Sequence, residues 1–216
     1  GGYHADRTRI IFVEFIWSAW GGRPWADGLD GNANLFANMS LPSAEVTETE
    51  QPLEILCCEL IPDVGGPGRH RGGMSIRRAY RLTEDEAVLQ VRADRHTFRP
   101  YGLYGGAPGM PSRNRLITDG RERELTAKAT MTPMRPGDVF IHDQAGPGGW
   151  RDPLERDPLR VLRDVVNELV SPAAARDDYG VVMDPSGSVV DEDATTRRRA
   201  DLRAARGWAT PPVVSR

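Results

Sequence analysis

Two short stretches concentrate groups that could act on a polar substrate. The first, residues 62–73, reads Pro-Asp-Val-Gly-Gly-Pro-Gly-Arg-His-Arg-Gly-Gly and sets Arg69, His70 and Arg71 between glycines. Glycine tolerates positive φ and close backbone approach, and proline fixes φ, so this mixture describes a shaped loop rather than a slack one. Two guanidiniums flanking an imidazole on such a loop could wall an anion or carbonyl site; a tight turn with solvated charges is the alternative. The second stretch, residues 92–102, offers a carboxylate, a guanidinium and an imidazole in succession at Asp94, Arg95 and His96. Carboxylate and imidazole exchange protons at moderate pH, although Asp94 beside Arg95 could equally be a structural ion pair.

These groups need elements to position them. Residues 9–17 are β-branched and aromatic and read as a buried strand. Residues 51–60 read as a second strand, with Pro52 near its start suggesting an edge position. Residues 74–82 place Met74, Ile76, Arg78, Tyr80 and Leu82 on one face. After an acidic turn, residues 87–91 read as the returning strand of a hairpin, which empties into the Asp94 stretch. Residues 113–118, 126–131 and 138–142 read as three more strands, separated by turns at Asp119-Gly120 and Arg135-Pro136-Gly137. His142, in an apolar strand, reads as a structural histidine.

From residue 154 the pattern changes to a helical period, with Asp157 as N-cap and Pro158 in the first position. Ser171-Pro172 opens a second short helix, residues 179–183 read as a small strand, and residues 191–206 as an arginine-rich final helix. Its Arg197-Arg198-Arg199 run reads as a solvated or partner-facing surface. The expected fold is α+β: a mostly antiparallel, twisted β-region with glycine-rich loops over residues 1–150, a helical C-terminal segment over 151–206, and a tail over 207–216.

Composition narrows the function. The chain has 216 residues, 39% hydrophobic and 27% charged, and a formal charge of −3, so no global field recruits nucleic acid or an anionic membrane. The apolar run at residues 10–20 is broken by Glu14 and Ser18 and falls short of the roughly 20 residues that span a bilayer. The adjacent Cys57 and Cys58 point to opposite faces of a strand and form no disulfide framework, which makes a cytoplasmic home the expectation. Asp27, Asp30, Asn32 and Asn34 superficially resemble a hard-cation set, but no glutamate closes an EF-hand, so they read as turn-forming side chains. The glycine-rich loop at 144–153 lacks the lysine of a phosphate loop, and no dinucleotide fingerprint is present, so ATP is not expected to bind here.

One ordered series of landmarks is more specific. Arg69-His70-Arg71-Gly72-Gly73 is followed by Asp94-Arg95, leading to Pro100-Tyr101-Gly102-Leu103-Tyr104-Gly105-Gly106-Ala107-Pro108-Gly109. Arg135-Pro136-Gly137-Asp138, Gly148-Gly149-Trp150-Arg151-Asp152-Pro153 and Asp178-Tyr179-Gly180-Val181-Val182 complete it. Over residues 12–183 this order resembles the hydantoinase B/oxoprolinase family. The resemblance implies an ATP-dependent amidohydrolase that opens a hydantoin, 5-oxoproline or related lactam. ATP and Mg would sit on a hydantoinase A-type partner in a hetero-oligomer; ketone carboxylases look similar and use the same kind of partner. It also implies that this chain is the C-terminal portion of a longer subunit, whose N-terminal half would carry a metal ion, leaving no metal or cofactor on this chain. Arg151 stands where the pattern has glycine, and Met74-Ser75 interrupts a glycine-richer turn. On this basis Asp94, His96 and His70 are the proton-handling candidates, and Arg69, Arg71 and Arg95 would hold a carboxylate or phosphorylated intermediate. A pure scaffolding role for the glycine loops, as in a non-catalytic assembly fragment, is the alternative.

Overall fold

A computed structural model describes residues 1–215. The fold is α+β. In chain order its elements are β1 (Gly2–Tyr3), β2 (Arg9–Ile10), α1 (Ala44–Glu50), β3 (Leu53–Leu60), β4 (Ile76–Leu82), β5 (Ala87–Leu89), β6 (Gly102–Leu103), β7 (Arg113–Thr118), β8 (Arg121–Leu125), β9 (Thr132–Met134) and β10 (Val139–Asp143). The helices α2 (Pro158–Val166), α3 (Pro172–Asp177) and α4 (Glu192–Ala205) follow, and then β11 (Val214–Ser215).

The organising sheet is five-stranded and antiparallel, in the order β3-β4-β10-β7-β8. Side chains alternate across a strand, so the inward phase of β4 delivers Tyr80 and Leu82, β10 delivers Phe140 and β7 delivers Leu116 to one core, which Val91, Leu125 and Met134 share. Each such apolar side chain, once buried, stabilises the fold by about 1.5–3 kcal/mol. Cys57 and Cys58 lie on β3 beyond a register shift after Ile55, and both are free thiols. The smaller sheet has the order β2-β1-β5-β9.

Several strand expectations change, and residues 179–183, expected as a small strand, form only an isolated bridge between Met183 and Val190. Residues 74–82 and 87–91 are not a hairpin, because β4 pairs with β3 and β10 while β5 pairs with β1 and β9. The partner of β7 is Arg121–Leu125 and not residues 126–131. This strand reads Arg-Glu-Arg-Glu-Leu and is held partly by cross-strand ion pairs, Arg113–Glu124 at 3.3 Å and Arg115–Glu122 at 3.5 Å, which hydrophobic patterning does not register. Residues 9–17 pair as a strand only at Arg9–Ile10; beyond that they run extended, with Ile11, Val13 and Phe15 exposed.

The helical expectations match the structure closely. The Asp157 carboxylate caps α2 by accepting from the Leu159 N–H at 2.9 Å, with Pro158 in the first turn, and Ser171 Oγ caps α3 by accepting from Ala174 N–H at 3.0 Å. Val161 and Ala175 on these helices pack with Tyr179 and Val181 against Val64 and Met74 of the glycine-loop region, forming a second core. The arginine-rich face of α4 turns partly inward instead of outward: Arg199 donates to the Tyr179 carbonyl at 3.0 Å and the Arg156 carbonyl at 2.6 Å, and Arg203 to the Leu154 carbonyl at 3.1 Å. The final residues return to the glycine loops, where β11 pairs with β6.

Candidate functional site

Four irregular segments, residues 20–31, 64–73, 101–110 and 145–150, lie side by side and exchange backbone hydrogen bonds. Gly66 N–H donates to Pro147 O at 2.8 Å, Ala107 N–H to Pro67 O at 2.7 Å, Gly149 N–H to Ala107 O at 2.9 Å and Gly22 N–H to Gly148 O at 2.9 Å. Chains packed this closely leave no room for side chains between them. A Cβ on Gly146 would overlap the Val64 carbonyl oxygen, and one on Gly148 would overlap that of Tyr101. The glycine-rich loops are thus one bonded layer rather than three separate turns.

The Arg69-His70-Arg71 loop belongs to this layer, and its polar groups are mostly engaged in holding it. Arg71 is buried and pairs with Asp30 at 2.8 Å and with Asp164 of α2 at 3.3 Å. Burial opposes its charge, yet the hydrogen bonds and field of Asp30 and Asp164 prevail and raise its pKa. Arg156 pairs with Asp27 at 2.6 Å and with Asp164 at 2.7 Å, closing an Arg–Asp network that ties the layer to the helices. Asp27 and Asp30 are therefore anion partners of arginines, where the sequence suggests free turn formers. The His70 ring packs on Trp150 at 5.8 Å, and burial holds its pKa below the ordinary value despite Asp27 3.8 Å away. Arg69 is exposed, 3.8 Å from Glu155.

The open space lies elsewhere. A cleft of about 560 Å³ runs between residues 14–19 and residues 90–95, and includes Glu14, Trp17, Asp94, Arg95, His142 and Gln144 in its lining. His142, on β10, has Nδ1 2.6 Å from Asn114 Oδ1, and Asn114 Nδ2 donates to the Thr126 carbonyl at 3.3 Å. That second bond fixes the amide with its oxygen toward the ring, so Nδ1 carries the proton and Nε2 keeps its lone pair. Burial lowers the His142 pKa, against the opposing effects of Gln144 and Asp143, which favours the neutral ring. A neutral imidazole lining a cleft, with the Gln144 side chain also against the ring, can accept a proton or an N–H bond from a bound molecule.

Glu14 enters from the facing wall. It is almost fully buried, 3.1 Å from the equally buried Arg78, and accepts the Tyr80 hydroxyl. Burial raises its pKa, and Arg78 works in the other direction. Sequence reasoning treats Glu14 only as a break in an apolar run. The available signal was its phase: Phe12, Glu14 and Ile16 share the inward side, and a carboxylate on that side requires a buried partner.

Ser112 pins the loop that holds the other candidates. Its hydroxyl donates to the Asp94 carbonyl at 2.6 Å, its N–H to the Arg95 carbonyl at 3.1 Å, and its own carbonyl lies 3.1 Å from His96 Nδ1. Of the six residues singled out from sequence, Asp94 and Arg95 reach the cleft, and Arg69, His70, Arg71 and His96 are not among its lining residues. Among the described residues, no three His, Cys, Asp or Glu side chains converge as metal ligands, and no helix is long and apolar enough to cross a membrane.

The His142 tautomer gives a direct test. Replacing Asn114 with Asp puts a charge beside Nδ1 and should raise the His142 pKa. Nitrogen-detected NMR titration can resolve this among only four histidines. An unmoved pKa would mean that the Asn114 contact does not set the ring.

A family model described as hydantoinase B/oxoprolinase matches residues 1–153, which include the whole glycine layer, Glu14 and His142. The chain belongs to the hydantoinase B/oxoprolinase family. It is 34% identical over 161 residues to the beta subunit of the caprolactamase of Pseudomonas jessenii, covering 72% of this chain and 27% of that one. It is 29% identical over 192 residues to the B-type subunit of a putative D-/L-hydantoinase from a Pseudomonas species, strain NS671, covering 88% and 32%. The crystal structure of the ATP-dependent caprolactamase superposes with a TM-score of 0.71 at 32% identity, covering 86% of this chain and 33% of that one. Nucleotide-free acetone carboxylase superposes with a TM-score of 0.74 at 22% identity, covering 92% and 31%, and so shares the fold. This hydantoinase B-type chain spans about a third or less of the length of these relatives.

Proposed function

We propose that this chain forms part of the B-type subunit of an ATP-dependent enzyme that opens a cyclic amide, a hydantoin, 5-oxoproline or a related lactam. Its proposed setting is a cytoplasmic hetero-oligomer. The observation that carries this reading is the likeness to caprolactamase, in sequence at 34% identity and in structure at a TM-score of 0.71. A neutral amide is a poor electrophile for water. In this reading a hydantoinase A-type partner holds ATP and Mg and supplies the activation, and any metal ion is carried in the part of the subunit outside this chain.

The residues of the cleft take roles that suit this chemistry. His142 Nε2 accepts a proton from the attacking water or a hydrogen bond from the ring N–H, and Asn114 holds the tautomer that permits it. In this reading Arg95 of the cleft lining meets developing negative charge, and Asp94 beside it is a further proton carrier. Arg71 acts through the layer that it locks, not by contact with substrate.

Co-purification with neighbouring chains, followed by assay of substrate-dependent ADP release, tests the reading. Ring-opened product without bicarbonate supports the amidohydrolase. A bicarbonate requirement with a ketone transfers the chain to the carboxylases, and a stable complex with no turnover favours a scaffold. In an active complex, His142→Gln should lower kcat about 100-fold or more while leaving assembly intact. Because the folded pKa of His142 lies below 6.5, wild-type kcat/KM should stay level through neutrality and fall only in acid. An unchanged kcat in the variant would remove His142 from the chemistry.

A further inference from the structure

Residues 11–17 combine two features that a finished protein surface avoids. They are extended, and among the described residues none of their backbone N–H or C=O groups pairs with another backbone group; the Ile16 carbonyl is taken only by the Gln144 side chain. Their side chains alternate cleanly. Phe12, Glu14 and Ile16 turn into the core, while Ile11, Val13 and Phe15 are 82%, 68% and 57% exposed. The Phe15 and Trp17 rings stack at 6.5 Å where the segment borders the cleft. Unpaired backbone beside a row of apolar side chains invites strand addition, and isolated proteins blunt such segments with charge, proline or a covering element. Residues 11–17 have none of these on their outward phase.

We infer that residues 11–17 are the acceptor for a β-strand supplied by the portion of a hydantoinase B-type polypeptide that lies outside the region matched here, whether continuous with this chain or carried separately. The inference rests on family membership and not on the proposed reaction. The relatives set the occupant: this chain covers 27% and 32% of the caprolactamase and hydantoinase subunits, so most of each subunit lies outside this fold. The inner side chains are already packed, so the incoming strand pairs alongside the segment, and its sheet covers Ile11, Val13 and Phe15 from outside. The same segment carries Glu14 and Trp17 in the cleft wall, so docking fixes one side of the cleft.

A photo-crosslinking side chain, benzoylphenylalanine, placed at Val13 of the full chain in its source cells tests this, with the cross-linked peptide identified by mass spectrometry. The expected product joins position 13 to hydantoinase B-type sequence outside the matched region, and the same probe at the exposed Phe98 does not give it. A product with a second copy of this chain, with a hydantoinase A-type chain, or no product at all overturns the inference. Val13→Lys, which alters only an outward side chain, should leave the melting temperature unchanged and reduce the cross-linked or co-purified yield, probed through position 11, at least about tenfold; an unchanged yield counts against it. These readouts do not depend on turnover, so they separate failure of the docking strand from failure of the lactam reading.

Discussion

Gly146→Ala should yield no folded protein. The added Cβ would overlap the carbonyl oxygen of Val64, and the neighbouring Gly65 amide also lies against it. Overpacking in a core of side chains costs about 1–3 kcal/mol because rotamers shift to relieve it. Here the obstacle is backbone that is itself fixed by Met110 N–H donating to Val64 O at 2.9 Å and Gly146 N–H to Met110 O at 2.9 Å. Relief would require opening the layer and its hydrogen bonds, which places the cost at about 4 kcal/mol or more, a large share of a typical domain's net stability. Gly207→Ala is the control, since nothing lies near its Cβ and its φ is not left-handed; it should melt with the wild type. Soluble expression and urea unfolding of the two variants measure the difference. A Gly146→Ala protein that unfolds within about 1 kcal/mol of wild type would mean that the loops are looser than their hydrogen bonds indicate.

Local signals in the sequence were reliable where the determining interactions are local. The Asp157-Pro158 and Ser171-Pro172 starts are capped as expected, because a cap bonds within a few residues of itself. The Asp119-Gly120 turn joins β7 to β8, with both residues at positive φ as a tight hairpin turn requires. Strand partners were not legible, since β5 has the alternation of a hairpin return yet pairs with β1 and β9. The surroundings of the candidate site residues were not legible for the same physical reason. Arg71 has the appearance of a free binding group until Asp164, 93 residues away, is placed beside it. His142 and Glu14 look structural or incidental until the fold brings them to one cleft. The family resemblance was legible because it depends on the order of short motifs, and most of their glycines lie in the layer, where an added side chain would overlap backbone.

Arg156→Met should destabilise the protein by about 3–5 kcal/mol, the cost of breaking a buried ion pair by removing one partner. Arg156 is 1% exposed and joins Asp27 from the loop at 20–31, Asp164 from α2 and, at 3.1 Å, the carbonyl of Arg69 in the glycine layer. Methionine fills much of the same volume, so the loss is charge and hydrogen bonding rather than a cavity. Asp164 would keep only Arg71 Nε at 3.3 Å, and Asp27 would keep the Arg71 N–H at 3.0 Å. Arg156→Lys should fall between the two, because a single ammonium cannot span both carboxylates as the planar guanidinium does. A pH signature separates this network from general packing loss. Burial alone would raise the Asp27 pKa, but Arg156 and Arg71 overcome it and hold the carboxyl below its ordinary 3.8. A lowered acid pKa contributes stability above the unfolded value that is lost as pH falls through the folded one. Wild type should therefore lose more stability than Arg156→Met on going from about pH 7 to about pH 3, so that their urea midpoints converge in acid. Parallel pH profiles for the two proteins would show that the Asp27 carboxylate does not depend on Arg156, leaving Arg71–Asp164 and apolar packing to fasten α2 to the glycine layer.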